Sequence, residues 1–470
     1  MAAQEQLKHL LSAQRFKSTE AELIEHIKSA VMPFHRIDPS ITIFRVPETL
    51  RMINPRAYEV RAKDFSIIGP GRNDSTFRPV IWPEPHDLVH LHSILSRNRV
   101  MCFEDYVMAM NHLKDEIRRC HLVDIEMDVG RLIWTVTHGC FIVDLLLSFH
   151  ERRLPTVDRL CTSLLHMIWV DMLLVENQIP FFVLQRIFDM AVVDKSGVPP
   201  LVDIALHFFE QFVVLNKNHS LMEVHHLLHQ VYTHLLPNTN TSKPKSNSFV
   251  KLTCNRLKSL ILPGNLSQQL PVSNNKPTPL RPFLIEPIPT ATKLQEAGIQ
   301  FRMKKQRGFS DITFKKGVLE IPCIWIDNNT EALLRNLVAW EQCYPTAGSY
   351  FTNYAIFMDY IVNSTEDAEI LSQNGIVQGG NRELVASVYR NISNNVIYNG
   401  EEDNSLPHLC KELNEYYRNK FNKWRAKLMS DYFSNPWSII SLVAGFLVIV
   451  LTFTQSFYAV YAYARPPKQS

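Results

Sequence analysis

Residues Trp169 to Phe188 read WVDMLLVENQIPFFVLQRIF. Large apolar side chains run round every face, a pattern of buried rather than surface helices, so the stretch is expected inside the fold. It nevertheless carries Asp171, Glu176, Asn177 and Gln178, with Pro180 close behind. Buried polar groups are costly unless hydrogen-bonded, and buried charges unless paired, so the rest of the chain must supply partners. A second all-round apolar run, GCFIVDLLL from Gly139 to Leu147, holds one carboxylate, Asp144. With the segments described below, these runs predict a mainly α fold: a large helical domain with a few short β-strands in its C-terminal half and one C-terminal transmembrane helix.

Composition narrows the function classes. The chain has 470 residues, 46% of them hydrophobic, enough for a large core. A formal charge of +3 gives no general argument for nucleic acid, and no nucleic-acid partner is expected. The local cluster Lys304, Lys305, Arg307, Lys315 and Lys316, interleaved with Phe301, Phe309 and Phe314, reads as strand–turn elements with core aromatics. Glycine is scarce, at 15 residues. Gly69-Pro70-Gly71 has neither a third glycine nor a Gly-Lys-Ser/Thr, so it reads as a turn and no phosphate loop or cofactor is expected. The eight cysteines form no CxxC pair and read as buried free thiols.

Working outward, residues 1–40 read as an N-terminal helical arm, polar and mixed in charge rather than a secretory leader. The region 41–236 reads as a helical core. It opens with alternation at Ile41, Ile43 and Val46 that predicts a short strand, then a helical turn over Glu48–Ile53 stopped by Asn54-Pro55. Helix is predicted over about 86–150, then near 198–216 and 220–236. Asn, Ser, Thr, Lys and Pro dominate 237–282, a flexible linker or insertion. The α+β part, 283–434, begins with a helix at Thr292–Ala297. Strands are predicted near Ile299–Met303, Asp311–Phe314 and Val318–Ile326, and then a helix capped by Asn329 or Thr330. Further helices cover Tyr350–Ile361, Glu366–Asn374 and Asn381–Ile397, and an amphipathic helix carries Leu409 to Leu428.

The tail differs from everything before it. Trp437 to Ala464 contains no charged residue in 28. Its first 18 residues would rise about 27 Å as a helix, close to the ~30 Å hydrocarbon core. Pro436 suits a first helical position. Trp437 at one end and Tyr463 at the other stand where aromatic belts belong, and Leu447 and Leu451 fall in the apolar middle. This predicts a single-pass anchor whose partner is the lipid bilayer. Arg418, Lys420, Lys423, Arg425 and Lys427 precede it, against Arg465 and Lys468 beyond. The positive-inside bias therefore places the large N-terminal part in the cytosol, with the plasma membrane as the expected location. The sequons at Asn73 and Asn363 point weakly the other way.

The texts FRVPETLRMINPRAYEVRAKDFSIIGP (44–70), GCFIVDLLL (139–147) and VDMLLVENQIPFFVLQRIF (170–188) resemble the plant family catalogued as domain of unknown function 247. So do FKKGVLEIPCIWIDNNTEALLRNLVAWEQC (314–343), YFTNYAIFMDYIVNSTEDAEILSQNGIV (350–377) and the Asn-Pro-Trp opening of the terminal helix. The resemblance spans nearly the whole chain. It implies a mainly helical fold with a C-terminal membrane helix and brings no enzymatic activity. An association of some grass members with pollen–stigma self-incompatibility implies recognition of a protein partner, here unknown. One departure is Ser66-Ile67-Ile68-Gly69-Pro70-Gly71-Arg72, one residue longer than the family's usual text and without its following histidines.

Two functional readings follow. In the first, Asp144, Asp171, Glu176, Asn177 and Gln178 form a structural polar network, and a non-catalytic anchored protein acts in protein–protein recognition or signalling. In the alternative, a membrane-tethered hydrolase-like enzyme uses Asp144, Asp171 or Glu176, because a carboxyl group in apolar surroundings has a raised pKa and suits a general acid. His86 with His90 and His225 with His229 each stand four apart, the spacing of metal ligands on one helix face. HHLLH lacks the Glu of HExxH and no third ligand is evident, so no metal is expected. Leu227, Leu228, Val231 and Leu235 define the core stripe, which leaves those histidines on the polar side.

Overall fold

The stretch from Trp169 to Phe188 does not form one helix. In the computed structural model, which describes residues 40–60, 85–123, 125–153, 162–215, 223–236, 285–304, 311–344, 346–398, 405–422, 424 and 436–464, a helix ends at Asp171 and another starts at Phe181. Between them Met172, Leu173, Leu174 and Val175 run through the core as a buried turn. The expected arm over 1–40 (except Ser40), the linker over 237–282 and the Gly69-Pro70-Gly71 turn lie outside the described residues.

The fold is mainly helical, with short strands in the C-terminal half. Among the described residues the first elements are α1 (Glu48–Arg51) and a 3-10 turn (Pro55–Tyr58). The expected strand at 41–46 is a single bridge, Ile43 to His121. Thr42 and Ile43 both donate their N–H to Cys120 O, at 2.9 Å, so no ladder extends. The alternation at Ile43 and Val46 records burial alone. The helical region expected over about 86–150 holds three helices: α2 (Pro85–Arg97), α3 (Phe103–Arg119) and α4 (Val129–His150). Asp128 caps α4 by accepting from Arg131 N at 2.7 Å. Then come α5 (Thr162–Asp171), α6 (Phe181–Ala191), α7 (Leu201–Phe209) and α8 (Leu227–Leu235).

Helix α4 is the hub of this half, packed against α2, α3, α6 and α7. Gly139 permits the approach of α6, since a β-carbon there would collide with Ile187 Cδ1.

The second half begins with α9 (Ala291–Glu296), then β1 (Gln300–Lys304), β2 (Thr313–Lys315), β3 (Val318–Pro322) and β4 (Ile324–Trp325). Strand β3 is central, parallel to β1 and antiparallel to β2. Lys315 pairs with Val318, so Lys316 and Gly317 form a two-residue hairpin loop with φ of 52° and 80°, the left-handed pair a type I′ turn requires. Four helices follow: α10 (Thr330–Cys343), α11 (Tyr350–Ile361), α12 (Thr365–Gln373) and α13 (Arg382–Ser393). Between the last two, β5 (Val377–Gln378) pairs parallel with β4. Neither expected cap at 329–330 holds α10 by itself. Asp327 Oδ1 accepts from Asn329 N and Thr330 N, each at 2.9 Å.

Helix α14 (Ser405–Arg418) stops short of the expected Leu428, broken at Asn419. Last is α15 (Pro436–Ala464), unbroken over 29 residues and opening on Pro436. One contiguous cluster of buried side chains runs from Phe44 to Leu413 and takes in both halves.

Candidate functional site

The carboxylates singled out by sequence are engaged by different parts of the chain. Asp144, on the hub helix, is buried; Oδ2 lies 2.8 Å from His90 Nδ1 and Oδ1 accepts from Ser93 Oγ at 2.7 Å. Arg97 stands 3.7 Å from Asp144 and makes a two-pronged pair with Glu151, at 2.7 and 3.0 Å. Glu176 accepts from Val46 N at 2.8 Å and pairs with Arg51. Its side chain is 30% exposed, so it is not the buried carboxylate the sequence suggests. Asp171 is buried where α5 ends, and its backbone carbonyl accepts from Asn177 Nδ2 at 2.7 Å.

Asn177 and Gln178 explain how a turn can cross the core. Gln178 Nε2 donates to Met172 O and Leu174 O, at 2.9 and 2.7 Å, and Gln178 Oε1 accepts from Leu228 N at 3.2 Å. Asn336 on α10 accepts from Val175 N at 2.9 Å and donates to Ala57 O, also at 2.9 Å. Buried backbone groups need such partners where no regular element supplies them.

The histidines are not on a solvated face. His225 precedes α8 instead of lying on it. It stacks on His229 at 4.4 Å and puts Nε2 3.1 Å from the Tyr344 hydroxyl. His226, which the sequence reading passed over, is fully buried edge-on to Trp340. Its two partners fix its tautomer. Thr42 O can only accept, so Nε2 carries the proton at 3.1 Å; Nδ1 accepts from His229 N and so caps α8. Burial holds His226 well below the usual imidazole range and His229 down to about 3. His90 is spent on Asp144, and the side chain of His86 lies outside the described residues. Among the described residues no group of three or more metal-ligating side chains comes together.

A further buried polar cluster lies on α10, where the sequence reading saw only a helix position. Glu341 is buried and accepts from Phe351 N and Thr352 N, at 2.9 and 2.8 Å, which anchors the start of α11. The Tyr232 hydroxyl lies 2.9 Å from Glu341 Oε1 and 2.6 Å from Ala347 O. Burial pushes the Glu341 carboxyl up to about 7 and Tyr232 well above its usual range. The one available signal was a carboxylate set in the apolar text LVAWEQC (337–343). With Asn336, Trp340 and the histidines, this seam joins α8 and the buried turn of the first half to α10 and α11 of the second.

The residues expected to anchor the chain stand apart. Trp437, Leu447 and Leu451 are exposed on α15, and none of Val443–Tyr461 is buried in the body. Tyr463 closes the same helix.

A family model described as "Plant protein of unknown function", DUF247, matches residues 43–451. The chain belongs to this family. Among DUF247 relatives, the UPF0481 protein At3g47200 of Arabidopsis thaliana is 31% identical over 444 residues, covering 91% of this chain and 88% of its own length. The putative UPF0481 protein At3g02645, also of Arabidopsis thaliana, is 22% identical over 521 residues and covers 95% and 94%. No solved structure matches.

Proposed function

We propose that this DUF247 chain is a non-catalytic, single-pass membrane protein whose helical body, held at the plasma membrane on the cytosolic side, recognises a protein partner in signalling. The observation that carries the anchor is the contrast between two helices of spanning length. Val129–His150 is mostly buried and serves as the hub of the core. In the other, none of Val443–Tyr461 is buried in the body. A bare apolar helix of 19 residues rises about 28 Å and suits a hydrocarbon surround. Basic residues crowding its N-terminal flank support a cytosolic body.

The non-catalytic reading is supported by how the carboxylates are used. Asp144 is taken up by His90 and Ser93, and Glu176 by Val46 N–H and Arg51. Asn177, Gln178 and Asn336 hold backbone that would otherwise be unpaired.

Protease protection of the full chain in sealed membrane vesicles tests this, together with alkaline carbonate extraction. The expected result is a pellet-retained chain whose body is digested from the cytosolic face. A chain released by carbonate would refute the anchor. A body protected inside the vesicle, with a glycan on exposed Asn363, would reverse the orientation.

A further inference from the structure

Outside α15, the exposed aromatic side chains on the described surface are few: Trp325, Phe421 and Trp424, at 67, 71 and 74%. Two of these three stand three residues apart at the end of the body that leads to α15. Their exposure has a local cause. Helix α14 is amphipathic and seated, with Leu406, Cys410 and Leu413 buried and Tyr416 edge-on to Phe314. Asn419 then breaks it. Its side chain accepts from Phe421 N at 3.0 Å and its carbonyl from Asn422 N at 3.2 Å, which starts a new turn. Asn422 Nδ2 fastens that turn back to Tyr416 O at 3.1 Å. The new turn puts Phe421 and Trp424 on one face, as positions i and i+3, and turns that face away from the core.

We propose that this face is a second membrane contact, in which Phe421 and Trp424 lie in the headgroup region of the bilayer and the cations beside them in the sequence meet anionic lipid. The inference rests on α15 being the anchor. Eleven residues separate Trp424 from Pro436, so even an extended chain keeps the face within about 40 Å of the anchor's start. Tryptophan suits the interface, with an apolar ring and a polar N–H to turn toward water. Charge agrees: from Arg418 to Asn435 the sequence has five cations (Arg418, Lys420, Lys423, Arg425, Lys427) against one anion, Asp431. A basic juxtamembrane segment gains about 1 kcal/mol per Lys or Arg at an anionic surface, roughly a fivefold change in binding. Lys420, beside Phe421, is exposed. Arg418 is engaged with Glu286 and holds the turn's base to the body. The arrangement would fix the body's tilt on the membrane instead of leaving it to swing on a tether.

Photo-crosslinking of the full chain in vesicles tests this. Benzoylphenylalanine is placed singly at positions 421, 424, 437 and 325, in phosphatidylcholine vesicles with and without phosphatidylserine. Lipid adducts are expected at 421, 424 and 437 and not at 325. Yields at 421 and 424 should rise at least ~2-fold with phosphatidylserine. Adducts at 437 with none at 421 and 424 above the level of 325 would overturn the docking and leave the anchor standing. Silence at 437 together with 421 and 424 would remove both. Adducts from 421 and 424 to a second copy of the chain would overturn lipid as the occupant. Lipid adducts at 421 and 424 with silence at 437 would support the docking and count against the anchor alone.

Discussion

Tyr232 and Glu341 stand 109 residues apart in sequence and 2.9 Å apart in the core, hydroxyl to carboxyl. The Tyr232 oxygen is nearer still to Ala347 O, at 2.6 Å. A phenol has one proton and a backbone carbonyl can only accept, so with the phenol proton on Ala347 O the contact to Glu341 needs a proton from the carboxyl. The raised Glu341 value fits a carboxyl that keeps its proton near neutrality.

Tyr232→Phe should therefore lower stability by about 1–3 kcal/mol, the cost of buried groups left without a partner. Glu341→Ala should cost more, because Phe351 N and Thr352 N lose their acceptors together. Thermal unfolding of the full chain in detergent measures both. Equal and negligible shifts would show that the seam does not hold the halves together.

The same seam sets a pH optimum. His226 and His229 bind fewer protons folded than unfolded, so their contribution is present above about 6.5 and is lost as pH falls, for His229 down to about 3. His225 and His121 shift the same way through burial. Glu341 keeps its proton up to about 7, against 4.5 unfolded; its contribution is present below 4.5 and is lost as pH rises through about 7. Between about pH 5 and 6.5 the histidines outnumber the one carboxyl, so the unfolding midpoint should climb with pH. It should then dip slightly toward neutrality. His229→Gln should flatten the acid limb, and Glu341→Gln should abolish the dip.

Asp144 and Glu176 should respond differently to loss of charge. The Asp144 side chain is 2% exposed and the Glu176 side chain 30%. Removing one partner from a buried charge pair costs about 3–5 kcal/mol, whereas exposed pairs are worth about 1 or less. Asp144→Ala is expected near the first figure, and Glu176→Gln closer to the second. Denaturant titration distinguishes them, and the reverse order would contradict the polar network described above.

Asn336→Ala should cost about 2–4 kcal/mol, since it unpairs Val175 N and Ala57 O at once. Hydrogen exchange offers a sharper reading. Protection should fall first at Val175 and the surrounding turn, ahead of α4. Uniform loss would mean that the residue supports the core only in general.

The helical class and the core were legible because Gly139–Leu147 and Trp169–Phe188 carry apolar residues on all faces, and these runs are buried. The amides at 177 and 178 could be read as structural because polar groups inside an apolar run need partners, and they donate to the carbonyls of Asp171, Met172 and Leu174. The bend at Met172–Ile179 was not, since its stability depends on Asn336, 161 residues beyond Val175. Glu341 was hidden for the same reason: a local window shows a carboxylate among apolar neighbours but not the tyrosine that faces it. The strand expected at Ile41 failed because alternation reports which side is buried and says nothing about a pairing neighbour.

The separation of Val175 from Asn336 also has a meaning in time. At about 5–20 residues per second of synthesis, the turn at the centre of the first half waits roughly 8–32 s after Val175 is made before its acceptor exists. Until then Val175 N, within an apolar stretch, is without its acceptor. The first half cannot finish folding while the second is still being made, so a ribosome stalled before residue 336 should display a chain open to chaperones and proteases at a segment that is buried in the finished protein.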